Sequence, residues 1–196
     1  MKFAFCFGNG RSRIGIDPAK YADYGPTYGT NYMIKDFSLD NTIVADKQLI
    51  IELLSNGYQN KTNLYTRKRW KDTIKEERLQ ELPNPIGKPE HRWDNEIHWG
   101  SGCHAVNLAA SHKANVIVML GYDLWSLNGK ENNIYSDKKP VDPSAWIHQL
   151  NLCFAKYPNV QFVQIQPDKW RTPEEWTIHS NYHTDSITNL DTIIKI

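Results

Sequence analysis

Short apolar runs alternate with longer amphipathic stretches along most of the chain. The apolar runs are bounded by glycine or polar residues, as is typical of buried β-strands, and they predict strands over 2–7, 42–46, 62–66, 114–120 and 159–165. Four stretches carry apolar residues at helical spacing and predict helices over 47–57, 67–82, 100–112 and 144–157. Because strands and helices alternate, the pattern favours a mostly parallel sheet with helices on both faces.

The segments between these elements are rich in Gly, Pro and polar residues, and loops are predicted over 8–30, 83–95 and 126–143. A polar tail follows the last strand and is predicted to hold a short helix near its end. Gly57 is predicted to end the first helix as its C-cap, and Ser144 to start the last helix as its N-cap. The chain shows no internal repeat or domain boundary. We therefore predict a single Rossmann-like α/β domain over residues 1–196.

Composition narrows the range of partners and compartments. The chain has 196 residues and a net charge of +1, so it shows no general attraction to nucleic acid or to membranes. No apolar run approaches the roughly 20 residues of a membrane span, and the N-terminus lacks the long apolar region of a signal peptide. Three widely separated cysteines predict reduced thiols. We expect a cytoplasmic protein that does not bind nucleic acid.

The sequence Gly8-Asn9-Gly10-Arg11-Ser12 directly follows the first predicted strand, at the sheet edge where parallel α/β proteins bind ligands. Its glycines would let the backbone approach a phosphate, which free N–H groups and the Asn9 and Ser12 side chains would bind. Alternatively, the glycines serve a tight turn that needs positive φ. The sequence is not the dinucleotide-binding fingerprint, because Arg13 stands where the third glycine belongs.

Three further positions lie at predicted strand or helix ends. Asp46 follows the second strand and would either bind a ribose hydroxyl or cap the next helix. Ser101 and Gly102 open a helix of small residues whose N-terminus offers N–H donors to a phosphate, although Ser101 would also suit an ordinary N-cap. Asp123 follows the central strand and would face an acceptor or a divalent ion, unless it is a turn residue bonded to its own backbone.

The histidines predict no protein-bound metal site. His179 and His183 are four residues apart, but the residues between them do not favour a helix, so zinc binding is not predicted there. His148 lies on a predicted helix that is rich in core residues, which favours a structural histidine. The sequence does not identify a cofactor. It leaves open whether a divalent cation such as magnesium binds together with a nucleotide.

Four segments together resemble the 6-hydroxymethylpterin diphosphokinase MptE-like family: FCFGNGRS, GTNYMIKDF, NTIVAD and GSGCHAVNLAASHKANVIVMLGYDL. They are also similar to the bacterial sialyltransferases, which share that family's Rossmann-like fold and use CMP-sialic acid. The resemblance extends in order over roughly residues 2–125. Its most specific part is the last segment, in which a small-residue helix and an apolar strand precede Gly-x-Asp and an apolar residue.

The resemblance implies nucleotide-binding roles for several positions. Asn9 and Ser12 match the family's phosphate- and nucleotide-contacting turn, and Asn31 matches an asparagine that contacts the nucleotide donor in the sialyltransferases. Ser101-Gly102 matches the serine-glycine pair that meets the nucleotide. Tyr135 lies in the loop where those enzymes place tyrosines on the donor phosphate.

The resemblance also indicates where a catalytic base would lie in the chain. The sialyltransferases place a histidine shortly before the helix that precedes the last strand, and the corresponding place here is Val141-Asp142. Asp142, Asp123 and His148 are therefore the candidate catalytic residues. The leading hypothesis is a transferase that binds a nucleotide or nucleotide-sugar and transfers a glycosyl or phosphoryl group. The missing histidine leaves two alternatives open: a non-catalytic nucleotide-binding protein, or a structural or interaction protein, for example a homo-oligomer.

Overall fold

The computed structural model describes residues 1–130, 132–136, 139–167 and 170–194. These residues form eight strands: β1 (Phe3–Phe7), β2 (Thr27–Thr30), β3 (Asn41–Ile43), β4 (Asn63–Thr66), β5 (Leu79–Glu81), β6 (Val116–Leu120), β7 (Gln161–Ile165) and β8 (Tyr182–Asp185). The α-helices are α1 (Lys47–Ser55), α2 (Lys68–Ile74), α3 (Ser101–Ser111), α4 (Ser144–Lys156) and α5 (Leu190–Ile193). Short 3₁₀ turns occupy several of the connections.

All eight strands belong to one parallel sheet, in the order β5-β4-β3-β2-β1-β6-β7-β8. The chain therefore moves outward from β1 to β5, returns to the centre, and moves outward in the other direction from β6 to β8. The order reverses between β1 and β6, which pair directly, with Phe7 opposite Leu120. In open parallel sheets a crevice forms at this reversal, just beyond the carboxyl ends of the strands.

Helices cover both faces of the sheet, as predicted. Phe5 and Phe7 of β1 lie in a core shared with Leu53 of α1 and Leu190 of α5. Cys6, which points to the other face, lies in the core formed with α3 and α4. This alternation along one strand follows from the two-residue period of β-structure, and both faces of β1 are buried. The prediction of a Rossmann-like α/β fold is confirmed.

Three strands were missed by the sequence pattern. β2 lies inside the segment predicted to be a loop, β5 inside the predicted helix 67–82, and β8 in the polar tail. Each is only three or four residues long and contains glycine or polar residues. Strands this short contain too few residues to show an alternation of apolar and polar positions. They form because they pair with strands that are distant in sequence.

Three predicted helix boundaries also require correction. The helix predicted over 67–82 ends at Ile74, because Lys75 adopts a left-handed conformation with φ of 56°. Ser144 is the first residue of α4 rather than its N-cap, and its N–H donates to the side chain of Asp142. The C-cap of α1 is Asn56 rather than Gly57, which is the next residue and has the positive φ, 74°, of a glycine that terminates a helix.

Two expectations from composition can be compared with the structure. Cys6, Cys103 and Cys153 are all buried and unpaired, in agreement with the predicted free thiols. Among the described residues, no helix combines the length and the apolar content that crossing a bilayer requires.

Candidate functional site

A cleft of about 130 Å³ lies where the carboxyl ends of β1 and β6 meet. Its walls are the turn after β1, the end of β2, the first residues of α3, the turn after β6, the loop at Asn132-Asn133, and α4. Six predicted nucleotide-binding residues line it: Gly8, Asn9, Gly10, Asn31, Ser101 and Gly102. The structure therefore brings together residues from three separate segments of the sequence at the reversal of strand order.

The glycines after β1 are required by close backbone packing. A Cβ atom on Gly8 would lie 2.4 Å from the carbonyl oxygen of Gly121, and one on Gly10 would lie 2.6 Å from the same atom. Gly10 N–H also donates to that carbonyl, at 2.8 Å. Among these glycines only Gly121 has positive φ, 74°. The alternative of a positive-φ turn is therefore wrong for Gly8 and Gly10, whose small size lets the two turns touch.

Asp123 and Ser12 connect the turn after β1 to the turn after β6 by hydrogen bonds. Asp123 is 2% exposed and accepts hydrogen bonds from both the N–H and the hydroxyl of Ser12. Burial raises the pKa of Asp123 above its ordinary value, and the bonds from Ser12 oppose that rise. Neither residue is among the described residues that line the cleft. Their observed contacts position the turn, and direct contact of either with a ligand stays a prediction.

The N-terminus of α3 opens on the cleft. Its N-cap is Gly100, which supplies no side-chain hydrogen bond to the first turn. The first N–H groups of a helix have no acceptor within the helix, and they carry the positive end of its dipole. Ser101 is therefore not the N-cap; its hydroxyl donates to Oδ1 of Asn31 at 3.2 Å. Asn31, with φ of 54°, thus faces the start of α3.

Asn9 carries an unsatisfied polar atom at this cleft. Its Oδ1 is buried and has no hydrogen-bond partner among the described residues. Its backbone carbonyl accepts from the N–H of Ile134 at 2.9 Å, which fixes the residue against the neighbouring loop. A buried acceptor without a donor costs about 1–3 kcal/mol. A ligand that donates a hydrogen bond to Asn9 would remove that cost.

The lining of the cleft is uncharged and mixes polar with apolar groups. None of its described residues is Asp, Glu, His, Lys or Arg. Cys103 and Tyr122 are the residues there with titratable side chains, and burial raises the pKa of both well above their ordinary values. The Tyr122 hydroxyl donates to the carbonyl of Gly102. The described lining therefore offers hydrogen bonds and a helix dipole rather than a group that exchanges protons near neutral pH.

Tyr135 lies beside the cleft in a network with two charged residues. Its hydroxyl accepts from Nη2 of Arg13 at 2.9 Å and donates to Oδ2 of Asp36 at 2.5 Å. Arg13 is 1% exposed, and its Nε donates to the carbonyl of Gly8. Arg13, which stands where the dinucleotide fingerprint has a glycine, thus holds the turn after β1 through its bond to Gly8. The contact of Tyr135 with a phosphate stays a prediction.

The remaining candidates lie outside the described lining of the cleft. Asp46 is the N-cap of α1 and accepts from the N–H of Leu49, the second of the two roles considered for it. Asp142 is exposed and accepts from the N–H and hydroxyl of Ser144 at the start of α4. Nε2 of His148 lies 2.6 Å from Oδ1 of Asp94. The structure therefore does not gather the three candidate bases at one point.

Sequence reasoning missed several residues at the cleft, and its lining also includes Thr30, Asn132, Asn133, Trp146 and Leu150. Gln149, fully buried on α4, accepts from the N–H of Gly100 and donates to the carbonyls of Trp93 and His98. Trp146, one turn earlier, lines the cleft and adds its only described tryptophan ring. Gln149 could have been identified from the sequence, because a glutamine on the apolar side of a helix must find hydrogen-bond partners in the interior. Nothing in the local sequence distinguished Trp146 from a core residue.

Comparisons with protein-family models, with curated proteins and with solved structures found no match to this chain.

Proposed function

We propose that the protein binds a nucleotide or nucleotide-sugar in the cleft between β1 and β6, and transfers its glycosyl or phosphoryl group. The observation that carries the proposal is the uncapped N-terminus of α3, which opens on a cleft at the reversal of strand order. Helix N-termini bind phosphate through free N–H groups and the helix dipole. The phosphates would lie against Ser101 and Gly102.

The nucleoside would occupy the more polar part of the cleft. Asn9 supplies a buried acceptor without a partner, which suits an amino group of a base or a hydroxyl of a sugar. Asn31 lies within hydrogen-bond distance of Ser101 and would contact the same ligand. Trp146 offers an aromatic surface for stacking on a base or a sugar.

The chemistry that the cleft offers is stabilisation of a phosphate leaving group. Backbone donors placed where negative charge develops are a large source of catalysis in transfer reactions. The described lining contains no carboxylate, so a magnesium ion would be bound chiefly through the phosphates of the ligand. The base that activates an acceptor would come from outside the described lining, with Asp142, Asp123 and His148 as the candidates.

Non-catalytic nucleotide binding is the second candidate function. The observation in its favour is the absence of Asp, Glu, His, Lys and Arg among the described residues that line the cleft. The two candidates share the ligand and differ in turnover. Release of free nucleotide from a bound nucleotide-sugar would support transfer, and its stable retention over many hours would support binding alone.

The ligand can be found with a thermal-shift screen of CMP, CDP, UDP, GDP, ATP and their common sugar conjugates, each with and without magnesium. A compound that binds only the folded protein raises its melting temperature. The best compound would then be titrated by calorimetry. Failure of every compound to raise the melting temperature of folded protein would overturn the proposal.

The position of the ligand is tested with the double variant Asn9→Ala/Ser101→Ala. Loss of two hydrogen bonds of about 1 kcal/mol each predicts roughly 30-fold weaker binding. Ser111→Ala is the matched control, because Ser111 lies at the opposite end of α3 and bonds only to the carbonyl of Leu108 among the described contacts. Equal affinity of the double variant and the control would rule out this placement.

A further inference from the structure

Two histidines and an aspartate converge away from the cleft. His91 and Asp94 belong to the connection between β5 and α3, and His148 belongs to α4. Nδ1 of His91 lies 3.4 Å from Oδ1 of Asp94, and Nε2 of His148 lies 2.6 Å from the same oxygen. The three ligand atoms all lie within 4.8 Å of one another. None of the three residues is part of the described cleft lining.

One of these distances is that of a metal centre, and the other is shorter. A tetrahedral zinc ion with ligand bonds of about 2.0–2.1 Å holds its ligand atoms on the order of 3.4 Å apart. The separation between His91 and Asp94 already has that value. The separation between His148 and Asp94 is that of a hydrogen bond, and it would need to open by about 0.8 Å to admit a metal.

The aspartate is prepared to act as an anionic ligand. Its side chain is 6% exposed, and Oδ2 accepts from the N–H of Lys88 at 2.8 Å, which leaves Oδ1 toward the histidines. Because the backbone occupies Oδ2, Oδ1 is the oxygen that is available to a metal.

The histidine rings are held in place by packing. The ring of Trp93 lies 5.8 Å from that of His91 and 5.6 Å from that of His148, measured between centroids. The two imidazole rings lie 4.9 Å apart. The side chain of His91 is 49% exposed and that of His148 29% exposed, so an ion can enter from solvent. Ordered rings and an accessible opening are both required for a site that fills reversibly.

We propose that His91, Asp94 and His148 bind a transition-metal dication such as zinc. Two imidazole nitrogens and one carboxylate oxygen are ligands that zinc, cobalt and nickel accept readily. On binding, the metal takes the place of the hydrogen bond between Nε2 of His148 and Asp94, and the imidazole binds through Nε2 with its proton on Nδ1. Three protein ligands leave a further coordination position for water.

The ion would fasten the connection between β5 and α3 onto α4. This connection, residues 82–100, is described throughout and contains no helix or strand. The connection already meets α4 at neighbouring residues, through the hydrogen bond of Asp94 to His148 and through Gln149, which bonds to Trp93 and His98. A metal would replace the single bond of His148 with a link that also includes His91. None of the three ligands lines the cleft, so this proposal does not rest on the proposed nucleotide binding.

The test is a titration of the full chain, freed of metal, with Co²⁺ followed by visible absorption, and with Zn²⁺ followed by calorimetry. We expect one ion per chain and a cobalt spectrum of low coordination number. His91→Ala should weaken binding by at least about tenfold, and His148→Ala should do the same. His91 is half exposed, so its replacement leaves the fold intact.

His98→Ala is the matched control, since His98 is an exposed histidine of the same connection and is not part of the cluster. Zinc should raise the melting temperature of the unsubstituted chain and of His98→Ala, but not of His91→Ala. The proposal is overturned if no saturable binding is observed. It is also overturned if His91→Ala and His148→Ala bind Co²⁺ as tightly as the control.

Discussion

The buried carboxylate of Asp123 accepts hydrogen bonds from both the N–H and the hydroxyl of Ser12, which lies 111 positions earlier in the chain. This pair joins the turn after β1 to the turn after β6. The two turns also touch through Gly10 and Gly121. Because they form adjacent walls of the cleft, their relative position sets its shape. The pair thus connects the topology of the sheet to the geometry of the proposed ligand site.

Replacing Asp123 with Asn should lower the free energy of unfolding by about 1–3 kcal/mol. The amide replaces a charged acceptor of two hydrogen bonds with a neutral group. It also adds a second N–H in a buried place, where the hydroxyl of Ser12 can accept only one. Urea denaturation measures the change. Asp72→Asn is the control, because Asp72 is exposed on α2 and should change stability by less than about 0.5 kcal/mol. Similar stabilities for the two variants would show that the Ser12–Asp123 bonds contribute little.

Replacing Gln149 with Ala should both destabilise the protein and loosen the start of α3. The fully buried side chain satisfies two carbonyls and the N–H of Gly100, so its removal should cost about 2–4 kcal/mol. Hydrogen exchange should become faster at Gly100 and at the first amides of α3. Gln48→Ala, an exposed substitution on α1, should leave exchange in α3 unchanged. Unchanged exchange in Gln149→Ala would contradict this role.

Much of the fold follows from the sequence because its central strands are long and apolar. β1 and β6 are apolar and buried at every position, and β7 is buried on one face, so their patterns are strong. β5, with the sequence LQE, is exposed at two of its three positions and lies at the sheet edge. Its conformation comes from pairing with β4, which no local pattern reveals.

The parts of the candidate site that lie at the ends of strands and helices could be predicted from the sequence. The side-chain pairs between distant segments could not. The turn after β1 and the start of α3 could be located because glycine and serine follow or precede strong elements. The pairing of Tyr135 with Arg13 and Asp36, and of His148 with Asp94, joins segments whose relative position is set by tertiary packing. A polar side chain alone does not indicate which buried partner it meets.

Replacing Gly8 with Ala should destabilise the protein by about 1–3 kcal/mol, because the new methyl group would meet the carbonyl of Gly121, a backbone atom that cannot move alone. Thermal and urea unfolding measure the loss. Gly102→Ala is the control, since its Cβ would make only an ordinary contact of 3.4 Å with Tyr122. If Gly8→Ala is as stable as Gly102→Ala, the close packing of the two turns is not what requires glycine.

His104 should make the protein less stable as the pH falls. Its side chain is 1% exposed, and burial, with a smaller contribution from the charge of Arg67, lowers its pKa to about 3. In the unfolded chain the pKa is about 6.5, so between these values the unfolded state binds more protons than the folded state. The contribution of neutral His104 is therefore complete above about pH 6.5 and decreases as the pH falls toward 3.

The variant His104→Leu removes this titration while keeping a side chain of similar size. By pH 4.5 the unsubstituted protein should have lost roughly 2–3 kcal/mol more of its pH 7 stability than the variant has lost. Urea unfolding at half-unit steps of pH measures both curves. His98→Gln, at an exposed position, should retain the full slope. Parallel curves for His104→Leu and the unsubstituted chain would mean that His104 becomes protonated in the folded protein, with the ring then reaching a partner or solvent.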